Sequence, residues 1–402
     1  MSVLSRRIGK VKPSPTLAVT AKAKELRDQG RDVIGLGSGE PDFDTPEHIK
    51  EAAIKAVRDG FTKYTPVPGT PELRAAVAEK FKRDNGLDYS PKQVVVTVGG
   101  KQAIYNLIQA IIDPGDEVII PAPYWVSYPD IVLLADGQPV IVDTAEADGF
   151  KMTPAALETA ITPRSKLLVI NSPSNPTGAA YTEAEIKALG EVLKRHPQVW
   201  VMSDDIYEKI VFDGFRFVTI AQVVPELRER TITINGVSKA YAMTGWRIGY
   251  AAGPKSVIEA MDTLQSQSTS NATSIAQAAA LAALRGDQNC LAPMMKAFTE
   301  RRNYVVQRMN AMPGLSCLLP EGSFYAYPSM AGLIGRRTAS GLLIDNSITF
   351  GEYLLEAQNV AVVAGLAFGK DPYFRISFAT SMQKLEKAMD RIQAAAEQLM
   401  GG

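Results

Sequence analysis

Cysteine and histidine are nearly missing from this 402-residue chain, which has two of each. Cys290 and Cys317 are too few for a disulfide framework and read as buried free thiols in a reducing compartment. His48 and His196 lie in polar, helix-like contexts with no motif around either. That leaves no material for a histidine-rich metal site or a Ser-His-Asp hydrolase, and no metal is expected. An excess of one charge is missing too, because 43 Lys+Arg balance 43 Asp+Glu. A neutral chain without a basic run argues against a nucleic-acid partner. No uninterrupted apolar run reaches the ~18–20 residues of a membrane span. The start, Met1-Ser2-Val3-Leu4-Ser5-Arg6-Arg7, has no apolar signal core. The expectation is a cytoplasmic protein with no membrane partner.

What is present suits a large folded core. Hydrophobic residues make up 46% and charged residues 21%, so the chain has enough apolar material to bury. At ~100–200 residues per domain, the length predicts two domains or one large α/β domain with a satellite. Residues 1–14 are basic, contain proline and read as an arm. A helix is expected over Ala18–Gln29, then a short strand at Val33–Leu36 and two amphipathic helices ending at Gly60 and Gly86. A long alternation follows. Strands are expected at Val94–Val98, Glu117–Pro121, Pro139–Thr144, Lys166–Asn171, Val199–Ser203, Thr231–Asn235 and Arg247–Ala251, with helices between several of them. Near-continuous Val/Ile/Leu strands alternating with helices predict a mostly parallel sheet covered on both faces. After about residue 290 the pattern becomes α+β. A long helix runs over Phe298–Met312, strand-like pieces lie at Ser323–Tyr327, Val360–Val363 and Tyr373–Phe378, and a helix at Leu385–Leu399 closes the chain. Gly332–Asn346, with Arg336-Arg337, reads as a mobile loop.

Five segments carry candidate chemistry. Gly99-Gly100-Lys101 stands between a strand and a helix, where glycines admit close backbone approach and free N–H groups attract an anion; an ordinary tight turn reads the same way. Lys239 follows a buried-type strand among small residues. Partial desolvation there favours its neutral amine, the form that attacks a carbonyl. Arg247 lies eight residues on and can fork onto a phosphate. Asp204 and Asp205 end a strand at the edge where parallel sheets bind ligands. Asn171-Ser172-Pro173-Ser174-Asn175-Pro176-Thr177-Gly178 is a frozen loop that presents Asn175. Arg375, between Phe374 and Ile376, needs an anionic partner, either a protein carboxylate or a substrate one.

Together these segments, with Gly37-Ser38-Gly39-Glu40-Pro41-Asp42-Phe43-Asp44-Thr45-Pro46 and Pro123-Tyr124-Trp125-Val126-Ser127-Tyr128-Pro129, resemble the class I, fold-type I, pyridoxal-phosphate-dependent aminotransferases. The likeness runs from the arm to the last helix and is narrower toward the bacterial aspartate aminotransferase subgroup, some of whose members use prephenate. It implies an α/β fold whose large domain has a mostly parallel seven-stranded sheet between helices, with a smaller α+β domain. The implied division is an arm at 1–14, the first part of the small domain at 15–47, a large cofactor-binding domain at 48–290 and the rest of the small domain at 291–402.

The resemblance assigns roles residue by residue. Lys239 would hold pyridoxal 5′-phosphate covalently and shuttle a proton. Asp204 would face the pyridine nitrogen, Tyr207 and Asn175 the 3′ oxygen, and Trp125 the ring face. The Gly100 and Lys101 amides, Ser238 and Arg247 would hold the phosphate, joined by Tyr64 from a neighbouring subunit in a homodimer with shared active sites. Arg375, assisted by the Gly39 amide, would bind the α-carboxylate of an amino acid or 2-oxo acid. Lys101, Lys12, Ser14 and Thr16 would serve a second carboxylate, with Lys12 also the cation for prephenate; Pro15 and the Gly332–Asn346 loop shape that side. Asp205 departs from the glutamate many relatives carry, beside the ring-binding acid rather than in its place. The activity implied is ping-pong transfer from L-aspartate or L-glutamate to 2-oxoglutarate or oxaloacetate. Prephenate transamination to L-arogenate is the alternative. A β-eliminating lyase and a non-catalytic cofactor-binding regulator are more remote; the regulator is disfavoured because the fold consumes the whole chain.

Overall fold

Alternation along the strands decides how the central sheet is covered. In the computed structural model, which describes residues 3–401, a two-residue β1 (Ile34–Gly35) precedes seven strands of one sheet. These are β2 (Val94–Val98), β3 (Glu117–Ala122), β4 (Gln138–Asp143), β5 (Ser165–Asn171), β6 (Trp200–Asp204), β7 (Thr231–Gly236) and β8 (Ile248–Ala252). Their order is β2-β8-β7-β6-β5-β3-β4, parallel throughout except for β8, which runs against both neighbours. Met1 and Ser2 of the expected arm, and Gly402, lie outside the described residues.

Val118, Ile120, Leu167 and Val169 feed one core, with side chains of α4 (Gly99–Ile111), α5 (Ser127–Leu134) and α9 (Lys255–Ser266). Ile119, Leu168, Ile170 and Val201 point the other way, onto α6 (Pro154–Ala160), α7 (Glu183–Arg195) and α8 (Ile220–Val223). Two-sided burial is why these strands read as continuous aliphatic runs. A third core joins α2 (Glu47–Arg58), α3 (Pro71–Asn85) and α10 (Ser274–Arg285) to the β2–β8 end of the sheet.

After this comes α11 (Ala292–Ala311), then β9 (Tyr325–Ala326), α12 (Ser347–Gln358), β10 (Val360–Ala361), β11 (Val363–Ala364), β12 (Phe374–Ser377) and α13 (Met382–Gly401). Strands β11, β12 and β9 form an antiparallel sheet, and β10 pairs in parallel with β1. The helix α1 (Pro15–Asp28) packs Ala23 and Leu26 against Val33 and Ala361. The expected strand Val360–Val363 is thus two strands serving two different partners. Helices α1 and α11 start earlier than the periodicity suggests, at Pro15 and Ala292, because a proline in the first turn presets φ where no N–H is needed. The expected mobile loop at 332–346 instead folds back on itself. Ile344 N–H donates to Arg336 O (2.9 Å), Gly335 N–H to Ile344 O (2.8 Å), and Leu333 and Ile344 are buried. No helix among the described residues is long and apolar enough to cross a membrane.

The carboxyl edge of the sheet is fixed from below. Asn171 and Asp204 pair in register at the ends of β5 and β6, and Asp204 pairs with Ile234 of β7. The turn after β6 is then pinned to α3. Lys80 and Glu208 form a buried ion pair, with Asn85 accepting from Lys80 Nζ (2.8 Å) and donating to Glu208 Oε2 (3.1 Å). This pair sets the position of Tyr207, its neighbour in sequence. Removing one partner leaves an uncompensated buried charge, so Lys80→Met should destabilise the cofactor-free protein by about 3–5 kcal/mol in urea unfolding. Adding Glu208→Leu should recover most of that loss. An equal loss in the double variant would mean that packing, not charge, holds the turn.

Candidate active site

A cavity of about 260 Å³ opens at this edge, lined by Gly39, Lys101, Trp125, Asn175, Asp204, Tyr207, Ser238, Lys239, Arg247 and Arg375 among others. One corner is an anion cradle. Gly99 takes φ +76° and opens α4, whose first N–H groups lack helical partners. Arg247 was expected to start a strand. It sits instead in the left-handed region at φ +56°, just before β8. That turn brings its guanidinium so close to Gly99 that a Cβ there would lie 2.3 Å from Nη2. Across the sheet, a Cβ on Gly249 would lie 2.3 Å from Gly100 N, so β8 must carry glycine for the cradle to form. Arg247 Nη1 donates to Thr244 O (2.9 Å), and Ser238 completes this corner.

At the centre, Lys239 Nζ donates to Gly39 O (2.6 Å). Burial lowers its amine to about 8, and the positive charges of Arg247 and Arg375 push the same way against Glu40 and Asp204. Asp204 is buried at the end of β6 and accepts from the Tyr128 hydroxyl (2.5 Å). Burial raises its carboxyl to about 6, opposed by Tyr128, the Ile206 amide and the Lys239 charge. Burial also depresses the Lys101 amine, helped by Arg247, and that amine lies 4.9 Å from the Trp125 ring centroid.

On the far wall, Arg375 is 2% exposed. Its Nη1 donates to Asn175 Oδ1 (2.8 Å) and its Nη2 to Gly37 O (2.7 Å), while Nε has no partner. The guanidinium lies over the rings of Tyr325 (4.4 Å) and Phe368 (4.9 Å). No carboxylate pairs with it among the described residues, so the protein-carboxylate reading of its partner is overturned. The Tyr207 hydroxyl meets that of Tyr325 at 3.1 Å.

Nearly all the site residues expected from sequence meet in this cavity. Gly39, Gly100, Lys101, Trp125, Asn175, Asp204, Tyr207, Ser238, Lys239, Arg247 and Arg375 line it, as do Ser14 and Thr16 from the start of α1. Two do not. Tyr64 is 92% exposed on the surface. Lys12 is exposed outside the lining, and its backbone N–H and charge only oppose the rise that burial gives the Asp130 carboxyl. Neither histidine lines the cavity, and His196 pairs with Glu158 (2.8 Å) on the surface. Tyr128 and Tyr325 were missed. Nothing in the sequence marks which aromatic hydroxyls turn inward, although Tyr128 falls in a quoted motif.

The arrangement fits the phosphate ester of an aromatic aldehyde. The cradle suits a dianion, Lys239 has an amine lowered to about 8 whose neutral form can attack an aldehyde, and the buried Asp204 carboxyl suits a ring cation. The family Aminotransferase class I and II matches residues 31–392. An aspartate/prephenate aminotransferase of Cereibacter sphaeroides is 60% identical over 394 residues, 98% of this chain and 98% of that protein. One of Nitrosomonas europaea is 55% identical over 390 residues, 97% and 98%. Among solved structures, the aspartate aminotransferase from Rhizobium meliloti superposes with TM-score 0.97 at 52% identity, over 99% of this chain and 100% of that one. The Thermus thermophilus aspartate aminotransferase with maleate gives TM-score 0.92 at 46% identity, over 98% and 100%.

Only a neutral amine attacks an aldehyde. Since the Lys239 amine lies near 8 rather than 10.5, the rate at which cofactor-free protein captures pyridoxal phosphate should rise with pH and level off with a midpoint near 8. A rate still climbing toward pH 10 in stopped-flow absorbance would contradict the depressed amine.

Proposed function

Since the chain belongs to the class I and II aminotransferases, we propose that it is a pyridoxal-phosphate-dependent aspartate aminotransferase of the cytoplasm. It takes the amino group of L-aspartate or L-glutamate and passes it to 2-oxoglutarate or oxaloacetate in ping-pong order. It also accepts prephenate, giving L-arogenate, a reading supported by the aspartate/prephenate aminotransferases it resembles. The observation that carries the proposal is the buried, carboxylate-free Arg375 guanidinium opening on the same cavity as Lys239 and Asp204. Residues 48–290 are the cofactor-binding part, and 15–47 with 291–402 carry the substrate arginine.

When bound, pyridoxal phosphate supplies an aldehyde for amines and a ring that withdraws electrons from the substrate Cα. Lys239 would hold it covalently and, once its amine is released by an incoming amino acid, would take the proton from the substrate Cα. Asp204 keeps the ring nitrogen protonated. Asn175 spends its Oδ1 on Arg375, which leaves Nδ2 to donate to the 3′ oxygen beside Tyr207. Trp125 covers the ring. The Gly100 and Lys101 amides, Ser238 and Arg247 take the phosphate, and the exposed Tyr64 serves the neighbouring active site of a homodimer. Arg375 forks onto the α-carboxylate with the Gly39 amide. Lys101, and Lys12 from the arm, answer the second carboxylate.

Replacing Lys239 by Ala should abolish covalent cofactor attachment and lower kcat by about a thousandfold or more. Retained turnover would refute the assignment. Lys101→Gln should lower kcat/KM for aspartate about tenfold more than for phenylalanine, the cost of one charge-assisted contact. Equal losses for both would place the Lys101 side chain on the phosphate instead.

A further inference from the structure

Tyr128 carries a hydroxyl to which the roles above give no work, and the fold directs it at a single atom. The residue lies in the first turn of α5, is 1% exposed, and donates to Asp204 Oδ2 at 2.5 Å. That length belongs to an O–H donating to an ionised oxygen. Helix α5 has little freedom to withdraw it. Ile131 and Val132 of the same helix are buried against the sheet, and the Tyr128 ring meets Trp125 edge-on at 5.2 Å. Among the described residues the Asp204 carboxylate has one other hydrogen bond, a long one from Ile206 N–H at 3.4 Å. The charged or titratable groups facing it are the Lys239 amine, the Tyr207 hydroxyl and Tyr128 itself. The adjacent Asp205 is occupied elsewhere, accepting from Ser203 Oγ (2.7 Å).

We propose that Tyr128 is a positioning residue for cofactor binding, its hydroxyl fixing the Asp204 carboxylate, ionised and in one orientation, toward the ring nitrogen. This rests on the cofactor reading given above. Among the described residues Asp204 is held by one strong donor, and that donor sits at the start of α5, its ring packed edge-on against Trp125 just before the helix. Loss of the hydroxyl therefore frees the carboxylate and raises its affinity for a proton, because burial acts unopposed by its main counterweight.

The sign of the effect follows. A protonated ring is bound by carboxylate, not by carboxylic acid. Cofactor affinity therefore falls as pH drops through the Asp204 value of the cofactor-free protein, about 6. Without the hydroxyl that fall begins at higher pH. Pyridoxal phosphate itself, and the Lys239 amine near 8, titrate in every variant, so only the difference between variants is read.

The test is titration of cofactor-free wild type, Tyr128→Phe and Asp204→Asn with pyridoxal phosphate by tryptophan quenching, from about pH 5.5 to 8.5. Thermal melts check that each variant is folded. Tyr128→Phe keeps the ring packing and should move the midpoint of the affinity profile up by about half to one unit. Binding should weaken several-fold below the midpoint and stay within about twofold at the alkaline end. An unmoved midpoint, or an equal loss at every pH, overturns the proposal. Asp204→Asn supplies the second arm, and the only one should Tyr128→Phe not fold. An amide does not titrate, so the difference profile must flatten; a profile that keeps the wild-type midpoint overturns the proposal. Wild-type protein that takes up no pyridoxal phosphate overturns instead the cofactor reading beneath it.

Discussion

Arg375 is a full positive charge enclosed in protein with no negative charge beside it among the described residues. Enclosing an unpaired ion costs several kcal/mol even after relaxation, and folding alone gives no reason to retain it. The structure contains that cost with neutral groups: one side-chain oxygen, one backbone carbonyl and two aromatic faces. None of these neutralises the charge, and Nε is left without a partner. A carboxylate delivered with the substrate answers all of this at once. On the proposed reading, the site holds its strongest interaction in reserve for an amino or oxo acid.

The same charge acts on the rest of the cavity. Burial depresses the Lys239 amine to about 8, and Arg247 and Arg375 push the same way, so the cations of the cavity raise the neutral share of the group that must be neutral to react. Lys101 adds to the positive surplus, which Asp204 and Glu40 offset only in part. A pocket with this balance suits a dianionic phosphate together with one or two carboxylates. Geometry enforces it. Gly99 and Gly249 admit the guanidinium and the helix N-terminus to within van der Waals reach of backbone, where any side chain would collide. Register places Asn171 and Asp204 side by side at the carboxyl edge.

Much of this was legible in the residues. Two-sided burial makes β2, β5 and β6 read as aliphatic runs, and the segments between them fall where a parallel sheet presents ligand-binding loops. Lys239, Asp204, Arg247 and Arg375 stood out because each is a polar group at the end of, or within, an apolar stretch, and Asn175 because two prolines and a glycine freeze the loop around it. What was hidden depends on three-dimensional placement. Arg247 reads as a strand residue because its left-handed turn leaves no periodic signal. Tyr128 and Tyr325 look like core aromatics, which they are, apart from the direction of their hydroxyls. The hairpin at 332–346 is set by backbone hydrogen bonds that composition does not encode. Lys12 and Tyr64 stand outside the cavity, and their assigned roles rest on resemblance alone.

One cavity carries an amino group from one acid to another. The most direct measurement is an absorbance titration of cofactor-loaded protein with L-aspartate, followed by oxaloacetate or prephenate. Aspartate should bleach the visible band, and either oxo acid, added after removal of the amino acid, should restore it. A cofactor band that aspartate and glutamate both leave unchanged would contradict the account.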